Sequence, residues 1–237
     1  MRIHKLNNYN DISELAAVLV TAQLARKPES VLGLATGSTP LGLYERLIAI
    51  NRRGLISFAK AESFNLDEYF SLSAEHPASF ARFMRENLLD HIDIDAKKAH
   101  LPDGTVSDPG KELQCYDDAI VVAGGIDLQI LGLGHDGHIG FNMPSDTFVM
   151  ESHVVELTEQ TRQANARFFD GNPEKVPEKA LTLGMKGIMS AGQIVLLVSG
   201  SDKAQVLHDT LYGAITPRLP ASILQLHNNL DVIYCGD

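Results

Sequence analysis

Short apolar runs alternate with amphipathic segments along almost the whole of this 237-residue chain. The apolar runs have the length of buried strands, whereas the segments between them repeat apolar residues at helical spacing. Strands that alternate with helices favour a parallel sheet, because each connection between parallel strands needs a crossover. The sequence therefore predicts a single domain over residues 1–237 with an α/β fold, in which one doubly wound, mainly parallel sheet carries helices on both faces in a Rossmann-like arrangement.

The pattern predicts the position of each element. Segments with the strand pattern are 2–6, 31–35, 61–66, 99–101, 127–133, 152–157, 180–183, 194–199 and 232–234. Segments with helical spacing are 79–89, 110–123, 158–169 and those around Leu43 and Leu207. Asp11 and Glu14 have the spacing of a capping box, which predicts that the first helix begins beside Asp11.

The composition limits the partners of the chain. A formal net charge of −10 disfavours nucleic acid and anionic membrane surfaces, because both require a basic footprint. The sequence has no apolar run long enough to span a bilayer, and no basic segment followed by an apolar stretch at Met1. Cys115 and Cys235 lack the spacing of a redox or metal motif. We therefore expect a cytoplasmic protein with no membrane or nucleic-acid partner.

A glycine-rich loop with an aspartate and two histidines follows the strand at 127–133. Its glycines allow the backbone to present Asp136 and His138 to a ligand. A carboxylate two residues from an imidazole can fix the tautomer and favour the protonated form, so the pair predicts a proton shuttle. Two alternatives stay open, namely a metal bound by His135 and His138, and a purely structural turn.

A second polar turn, Thr36-Gly37-Ser38-Thr39-Pro40, joins the strand at 31–35 to a helix. Backbone amides at a helix N-terminus carry positive partial charge, and serine and threonine hydroxyls add donors, so the turn predicts a phosphate site. The turn matches neither a Walker P-loop nor a dinucleotide fingerprint. An ordinary helix start, with Thr39 as the cap and Pro40 at the first helical position, is the alternative.

Two further strand ends carry charge. Asp67 and Glu68 follow the strand at 61–66, where one can act as a general base while the other caps a helix or forms a salt bridge. Lys203 begins a helix, where the macrodipole disfavours a cation, so it indicates either a bound anion or a solvated surface lysine. Because ligands bind outside the carboxyl ends of the strands in such sheets, we expect these groups to share one site with the two turns.

Five collinear motifs resemble those of the glucosamine-6-phosphate deaminases over essentially the full chain. They are Leu34-Ala-Thr-Gly-Ser-Thr-Pro40, Phe64-Asn-Leu-Asp-Glu-Tyr69, Gly132-Leu-Gly-His-Asp-Gly-His-Ile-Gly-Phe-Asn142, Ala164-Asn-Ala-Arg-Phe-Phe169 and Ser199-Gly-Ser-Asp-Lys203. The 6-phosphogluconolactonases of the same superfamily have a similar phosphate loop, but Tyr69 and the Ile-Gly-Phe-Asn continuation favour the amino-sugar branch. The resemblance implies conversion of glucosamine 6-phosphate into fructose 6-phosphate and ammonia, with galactosamine 6-phosphate as an alternative substrate.

The resemblance also implies a role for each candidate residue. Asp67 would take the C2 proton and return one at C1, and His138, oriented by Asp136, would open the sugar ring. The residues implied to bind the 6-phosphate are Thr36, Gly37, Ser38, Thr39, Arg167 and Lys203. The resemblance implies no metal and no organic cofactor, because the opened sugar supplies its own carbonyl.

One position departs from the family pattern. Met143 follows Asn142, where the family has a glutamate that assists ring opening, and a thioether cannot transfer a proton. Either Asp136 supports His138 alone, or Asp146 or Glu151 substitutes for the glutamate, or ring opening is slow and the substrate preference has changed. A sugar-phosphate-binding protein with impaired turnover is the further alternative.

The resemblance finally bears on regulation. His153 and Val155 replace basic residues that the allosteric members use to bind an activating sugar phosphate, and the chain lacks their longer tail. These differences imply little allosteric activation and a monomer or small homo-oligomer.

Overall fold

A computed structural model describes residues 1–236, which form two β-sheets and their covering helices. The strands are β1 (Arg2–Lys5), β2 (Val31–Leu34), β3 (Glu62–Asn65), β4 (Asp67–Tyr69), β5 (Ala99–His100), β6 (Leu128–Gly132), β7 (His153–Glu156), β8 (Lys179–Thr182), β9 (Gln193–Ser199) and β10 (Leu230–Cys235). The α-helices are α1 (Tyr9–Arg26), α2 (Leu41–Arg52), α3 (Phe80–Asn87), α4 (Pro109–Val122), α5 (Glu159–Asn165), α6 (Met185–Met189) and α7 (Ala204–Tyr212).

The main sheet has seven strands in the order β1-β10-β9-β6-β2-β3-β5, and all neighbouring strands in it are parallel. Successive residues of β2, β9 and β10 are buried although they point to opposite faces, so both faces of the sheet are covered. The chain continues from β2 to β3 and β5 on one side, and from β6 to β9 and β10 on the other. The predicted fold class is therefore confirmed. The strand order reverses between β2 and β6.

A second sheet of three antiparallel strands, in the order β4-β8-β7, adds to the predicted architecture. The strands predicted at 152–157 and 180–183 belong to it, and β4 lies where only the end of a strand was expected. The chain passes between the sheets at Leu66, whose amide donates to the Leu34 carbonyl and whose carbonyl accepts from the Leu183 amide. Apolar periodicity locates strands, but it does not state which sheet a strand joins.

One prediction about helix starts is wrong, and one of the alternatives does not hold. Helix α1 begins at Tyr9 rather than beside Asp11, because the side chain of Asn8 accepts a hydrogen bond from the Asp11 amide at 3.0 Å. Helix α2 begins after Pro40 without any side-chain cap, so Thr39 does not have the capping role offered as an alternative. No helix within residues 1–236 combines the length and apolar character needed to cross a membrane.

Gly33 in β2 provides a test of how tightly the centre of the main sheet is packed. A Cβ atom at position 33 would lie 2.0 Å from Oε1 of Gln129, which is fully buried in the adjacent strand β6. We expect Gly33→Ala to lower the free energy of unfolding by about 1–3 kcal/mol, as overpacking of a filled core does. The measurement is urea denaturation of the variant and the wild type.

Gly132→Ala is the matched control, because a Cβ atom at that position in β6 would meet nothing within 4 Å. Its free energy of unfolding should stay within about 0.5 kcal/mol of the wild type. Equal destabilisation by the two substitutions would contradict the proposed crowding at Gly33.

Candidate active site

The turn after β2 leaves several hydrogen-bond donors unused. The amides of Gly37, Ser38 and Thr39, and the hydroxyls of Thr36, Ser38 and Thr39, have no acceptor within residues 1–236. The Tyr9 hydroxyl from α1 supports this turn, since it lies 3.0 Å from the Ser38 carbonyl oxygen and accepts from the Gly42 amide at 2.7 Å. Gly37 has a φ of +105°, a conformation that favours glycine. The turn is therefore held by Tyr9, while its own donors remain available to a ligand.

The loop after β6 holds an aspartate and an imidazole in direct contact. Oδ1 of Asp136 lies 2.5 Å from Nδ1 of His138, and the His138 amide donates to the same oxygen at 3.2 Å. Because a carboxylate only accepts, Nδ1 carries the proton, and Nε2 makes no hydrogen bond with any other residue of the described chain. A Cβ atom at Gly134 would lie 2.3 Å from this ring, so glycine is needed for the ring to pack on the backbone there.

The local electrostatics favour the ionised form of Asp136. Burial alone would raise the pKa of Asp136, but the hydrogen bonds from His138 outweigh it and leave the pKa below its ordinary value. Nε2 of His135 instead lies 2.6 Å from Oδ2 of Asp202, in an exposed pair. The two imidazoles thus contact different carboxylates, and among residues 1–236 no group of three or more His, Cys, Asp or Glu side chains is arranged to hold a metal ion.

Asp67 and Glu68 are both buried but have different surroundings. Glu68 accepts hydrogen bonds from the Ser79 hydroxyl at 2.7 Å and from the Phe80 and Ala81 amides at 3.1 and 2.9 Å, so it caps the start of α3. The Asp67 carboxylate is 6% exposed and receives no hydrogen bond from residues 1–236. Burial, together with the nearby charge of Glu68, raises the pKa of Asp67 to about 8. Asp67 is therefore the one of the two that remains free for proton transfer.

Asp67 lies beside the loop that carries His138. A Cβ atom at Gly140, two residues after His138, would lie 3.4 Å from Oδ2 of Asp67 and 3.2 Å from Oγ1 of Thr182. The amide of Asn142 closes a tight turn on the Ile139 carbonyl at 3.1 Å. The structure therefore brings Asp67 close to the loop of His138 and Asp136, although they come from different sheets.

Two cations border the same edge of the main sheet. Nζ of Lys203 donates to the Leu133 carbonyl at 2.7 Å, which fixes the lysine at the carboxyl end of β6. Burial lowers the pKa of Lys203, Asp202 opposes this effect, and the positive charge of Arg167 adds to it. Arg167 is exposed, stands over the Phe168 ring at 4.7 Å, and forms no ion pair with a carboxylate of residues 1–236. The pair of cations therefore has positive charge available for an anion, and Lys203 is not a freely solvated surface lysine.

The acids suggested as substitutes for the missing glutamate are engaged elsewhere. Asp146 forms an exposed ion pair with Arg218, and Glu151 forms one with Lys186 at 3.1 Å. Asp136 is the carboxylate that contacts His138 in the described part of the chain. The half-buried Met143 lines a neighbouring cavity of about 300 Å³.

Sequence reasoning missed two residues that shape this site. Tyr9 belongs to a helix whose pattern gives no sign that its hydroxyl reaches the turn after β2. Thr182 is a fully buried polar residue whose hydroxyl accepts a hydrogen bond from the Phe141 amide at 3.1 Å. A polar residue inside an apolar run was the available signal for Thr182, whereas nothing in the sequence signals the role of Tyr9.

The fold and the positions of its polar groups define a class of protein: a doubly wound α/β domain that carries polar groups at the carboxyl ends of β2 and β6, where the strand order reverses. Comparison with known proteins then identifies the family. The family model described as glucosamine-6-phosphate isomerases/6-phosphogluconolactonase matches residues 9–233. The chain belongs to this family.

Relatives within the family are similar over their full length. A glucosamine-6-phosphate deaminase from Lachnoclostridium phytofermentans is 49% identical over 235 residues, which cover 99% of each chain. A solved structure of a monomeric glucosamine-6-phosphate deaminase has a TM-score of 0.96 and 40% identity, covering 99% of this chain and 97% of that one. A 6-phosphogluconolactonase from Thermotoga maritima has a TM-score of 0.77 at 22% identity, covering 100% and 99%, and it shares the fold.

The raised pKa of Asp67 predicts how stability depends on pH. Between its ordinary value of 3.8 and about 8, folded Asp67 keeps a proton that the unfolded chain releases, so the stability of the wild type falls as pH rises through this window. Asparagine does not titrate. We expect Asp67→Asn to gain stability relative to the wild type from about pH 5 to about pH 8, measured as the difference between urea midpoints.

Asp90→Asn is a suitable control, because the Asp90 side chain is exposed and is not among the candidate site residues. Its urea midpoint should keep a constant offset from the wild type over the same pH range. A constant offset for Asp67→Asn as well would mean that Asp67 does not keep its proton in the folded protein.

Proposed function

We propose that this protein is a glucosamine-6-phosphate deaminase, which converts glucosamine 6-phosphate and water into fructose 6-phosphate and ammonia. The observation that carries the proposal is the buried, donor-free Asp67 carboxylate beside the loop of Asp136 and His138. The names of the relatives at 49% and 40% identity support the same activity. The family model also includes 6-phosphogluconolactonase, but the lactonase of known structure shares only 22% identity with this chain, against 49% and 40% for the two deaminases.

The 6-phosphate is proposed to bind at the turn after β2. Its oxygens can accept from the free amides of Gly37, Ser38 and Thr39 and from the adjacent hydroxyls, at a helix start where the dipole favours an anion. Lys203 supplies a fixed charge, and the planar guanidinium of Arg167 can make a two-pronged contact. This cluster of donors overcomes the net negative charge of the chain at one place.

His138 is proposed to open the pyranose ring. Its Nε2 faces no protein partner and can take a proton from one sugar oxygen and deliver it to another. Asp136 keeps Nδ1 protonated and stabilises the imidazolium that forms during the transfer. Opening the ring produces the aldehyde that makes the C2 proton acidic.

Asp67 is proposed to move the proton from C2 to C1. Loss of the C2 proton gives an enol-type intermediate, protonation at C1 gives an imine at C2, and water replaces the nitrogen to release ammonia. A carboxylate deprived of water and of hydrogen bonds is a stronger base than one in solution. The ammonium group of the substrate, once bound nearby, favours the ionised form of Asp67 that this step requires.

The proposal extends to cofactors, location, assembly and regulation. No step of the proposed reaction requires a metal or an organic cofactor. We propose a cytoplasmic enzyme, as the sequence predicts, and a monomer or small homo-oligomer, since the relative of known structure at 40% identity is monomeric. Among residues 1–236, the cavity beside Met143 is lined by His153 and Val155 and by no lysine or arginine, and burial lowers the pKa of His153. It therefore lacks the positive charge to bind a sugar phosphate, which supports the expectation of little allosteric activation.

A coupled ammonia assay with an Asp67→Asn variant tests the proposed function. We expect ammonia release from glucosamine 6-phosphate to fall by about 10²- to 10⁴-fold, because the amide cannot accept the C2 proton. Calorimetric binding of the substrate should persist, because the phosphate site is unchanged. Asp209→Asn, on the surface of α7, should behave as the wild type.

Galactosamine 6-phosphate and 6-phosphogluconolactone are the comparison substrates for the wild type. Hydrolysis of the lactone without ammonia release would replace the proposal with a lactonase. Binding of glucosamine 6-phosphate without turnover would indicate a sugar-phosphate-binding protein, and normal turnover by Asp67→Asn would remove Asp67 from its role.

A second substitution tests the position where the chain departs from its family. We expect Met143→Glu to raise kcat, because a carboxylate next to Asn142 can assist the proton transfers of His138. Met143→Gln, whose side chain has the shape of glutamate without its charge, should not raise kcat. An equal kcat for wild type and Met143→Glu would mean that ring opening does not limit the rate, or that Asp136 already supports it fully.

A further inference from the structure

Thr182 connects the two halves of the proposed active site. It lies in β8, the central strand of the small sheet, and it is directly opposite Asp67 of β4 in the antiparallel ladder. It is fully buried, and its hydroxyl accepts a hydrogen bond from the Phe141 amide at 3.1 Å. The Thr182 side chain therefore contacts the loop of His138, while the Thr182 backbone pairs with the Asp67 backbone.

The turn that Thr182 contacts is anchored by the Asn142 side chain and by packing of the Phe141 ring, but the Phe141 amide depends on Thr182. Gly140 has a φ of +58°, and a Cβ atom there would lie 3.2 Å from the Thr182 hydroxyl oxygen. Asn142 closes the turn by donating to the Ile139 and Leu183 carbonyls at 3.0 and 2.8 Å. The Phe141 amide has no acceptor other than Thr182 within residues 1–236.

Loss of the hydroxyl would leave a buried N–H group without a partner. Such a group is costly, so the turn would move until the amide reached water or another acceptor. Because Gly140 is two residues from His138 and borders Asp67, movement of the turn changes the separation of these two groups. Proton transfers are sensitive to displacements of this size.

We propose that Thr182 is a positioning residue that holds the loop of His138 in place beside Asp67. This inference rests on the proposed deaminase function, in which both residues act on one sugar. The Thr182 side chain forms no hydrogen bond with the turn after β2 in the described residues 1–236, so its removal should affect the chemical steps rather than the binding of substrate.

Two matched pairs of enzymes separate the hydroxyl from the packing of the side chain. Wild-type threonine and Thr182→Val have the same shape, and Thr182→Ser and Thr182→Ala both lack the methyl group. In each pair the member without the hydroxyl should have a kcat about 10- to 100-fold lower, with KM for glucosamine 6-phosphate changed less than about threefold. Thr182→Ser should keep most of the wild-type kcat.

These measurements test the role of Thr182 separately from the proposed deaminase function. Equal kcat values within both pairs, or a KM that rises while kcat is unchanged, would overturn the positioning role. If Thr182→Val does not fold, the comparison of Thr182→Ser with Thr182→Ala still tests the role of the hydroxyl.

If the wild type releases no ammonia, the proposed function fails. Hydrogen exchange at the Phe141 amide in the same pairs then still tests whether the hydroxyl holds the turn. Exchange that is equal with and without the hydroxyl would overturn the inference.

Discussion

The burial of the Asp67 carboxylate without a hydrogen-bond donor is the constraint on which this site depends. A charged group in this position loses hydration and gains nothing in return, so its protonated form is favoured and its pKa rises to about 8. Burial also raises the pKa of the adjacent Glu68, but the hydrogen bonds that Glu68 accepts from the start of α3 oppose this effect. Two neighbouring acids thereby acquire different chemistry from their surroundings alone.

A small aromatic core connects the segments that carry the functional groups. Tyr69 follows Asp67 in β4, Phe141 follows the loop of His138, and Phe169 follows Arg167. The Tyr69 ring lies 5.7 Å from that of Phe141 and 5.5 Å from that of Phe169, measured between centroids. Pairs of this kind contribute about 0.5–1.5 kcal/mol beyond the area they bury. The second sheet therefore stabilises the arrangement of groups that the main sheet alone would not bring together.

Much of the fold and of the site could be predicted because the patterns are local. The strand that ends before Gly134 and the turn at Gly37 were located from apolar runs and glycines, and the structure places their polar residues at one edge of the main sheet. The start of α1 could not be predicted reliably, because Asn8 and Asp11 both have side chains that cap helices. The polarity of Thr182 within an apolar run was a signal, but its partner could not be predicted, since Phe141 is 41 positions away in sequence.

The sequence by itself determined the α/β class, the parallel sheet and the residue types available for chemistry, because these follow from periodicity and from glycine-rich turns. The residue pattern offered Asp67 and Glu68 as candidates for the proposed general base, and the family resemblance implied Asp67. Only the tertiary structure shows a physical difference between them, because it determines which carboxylate receives the amides of α3 and which is left without donors among residues 1–236. Local patterns do not contain that information, since the pKa of a buried group is set by neighbours that are distant along the chain.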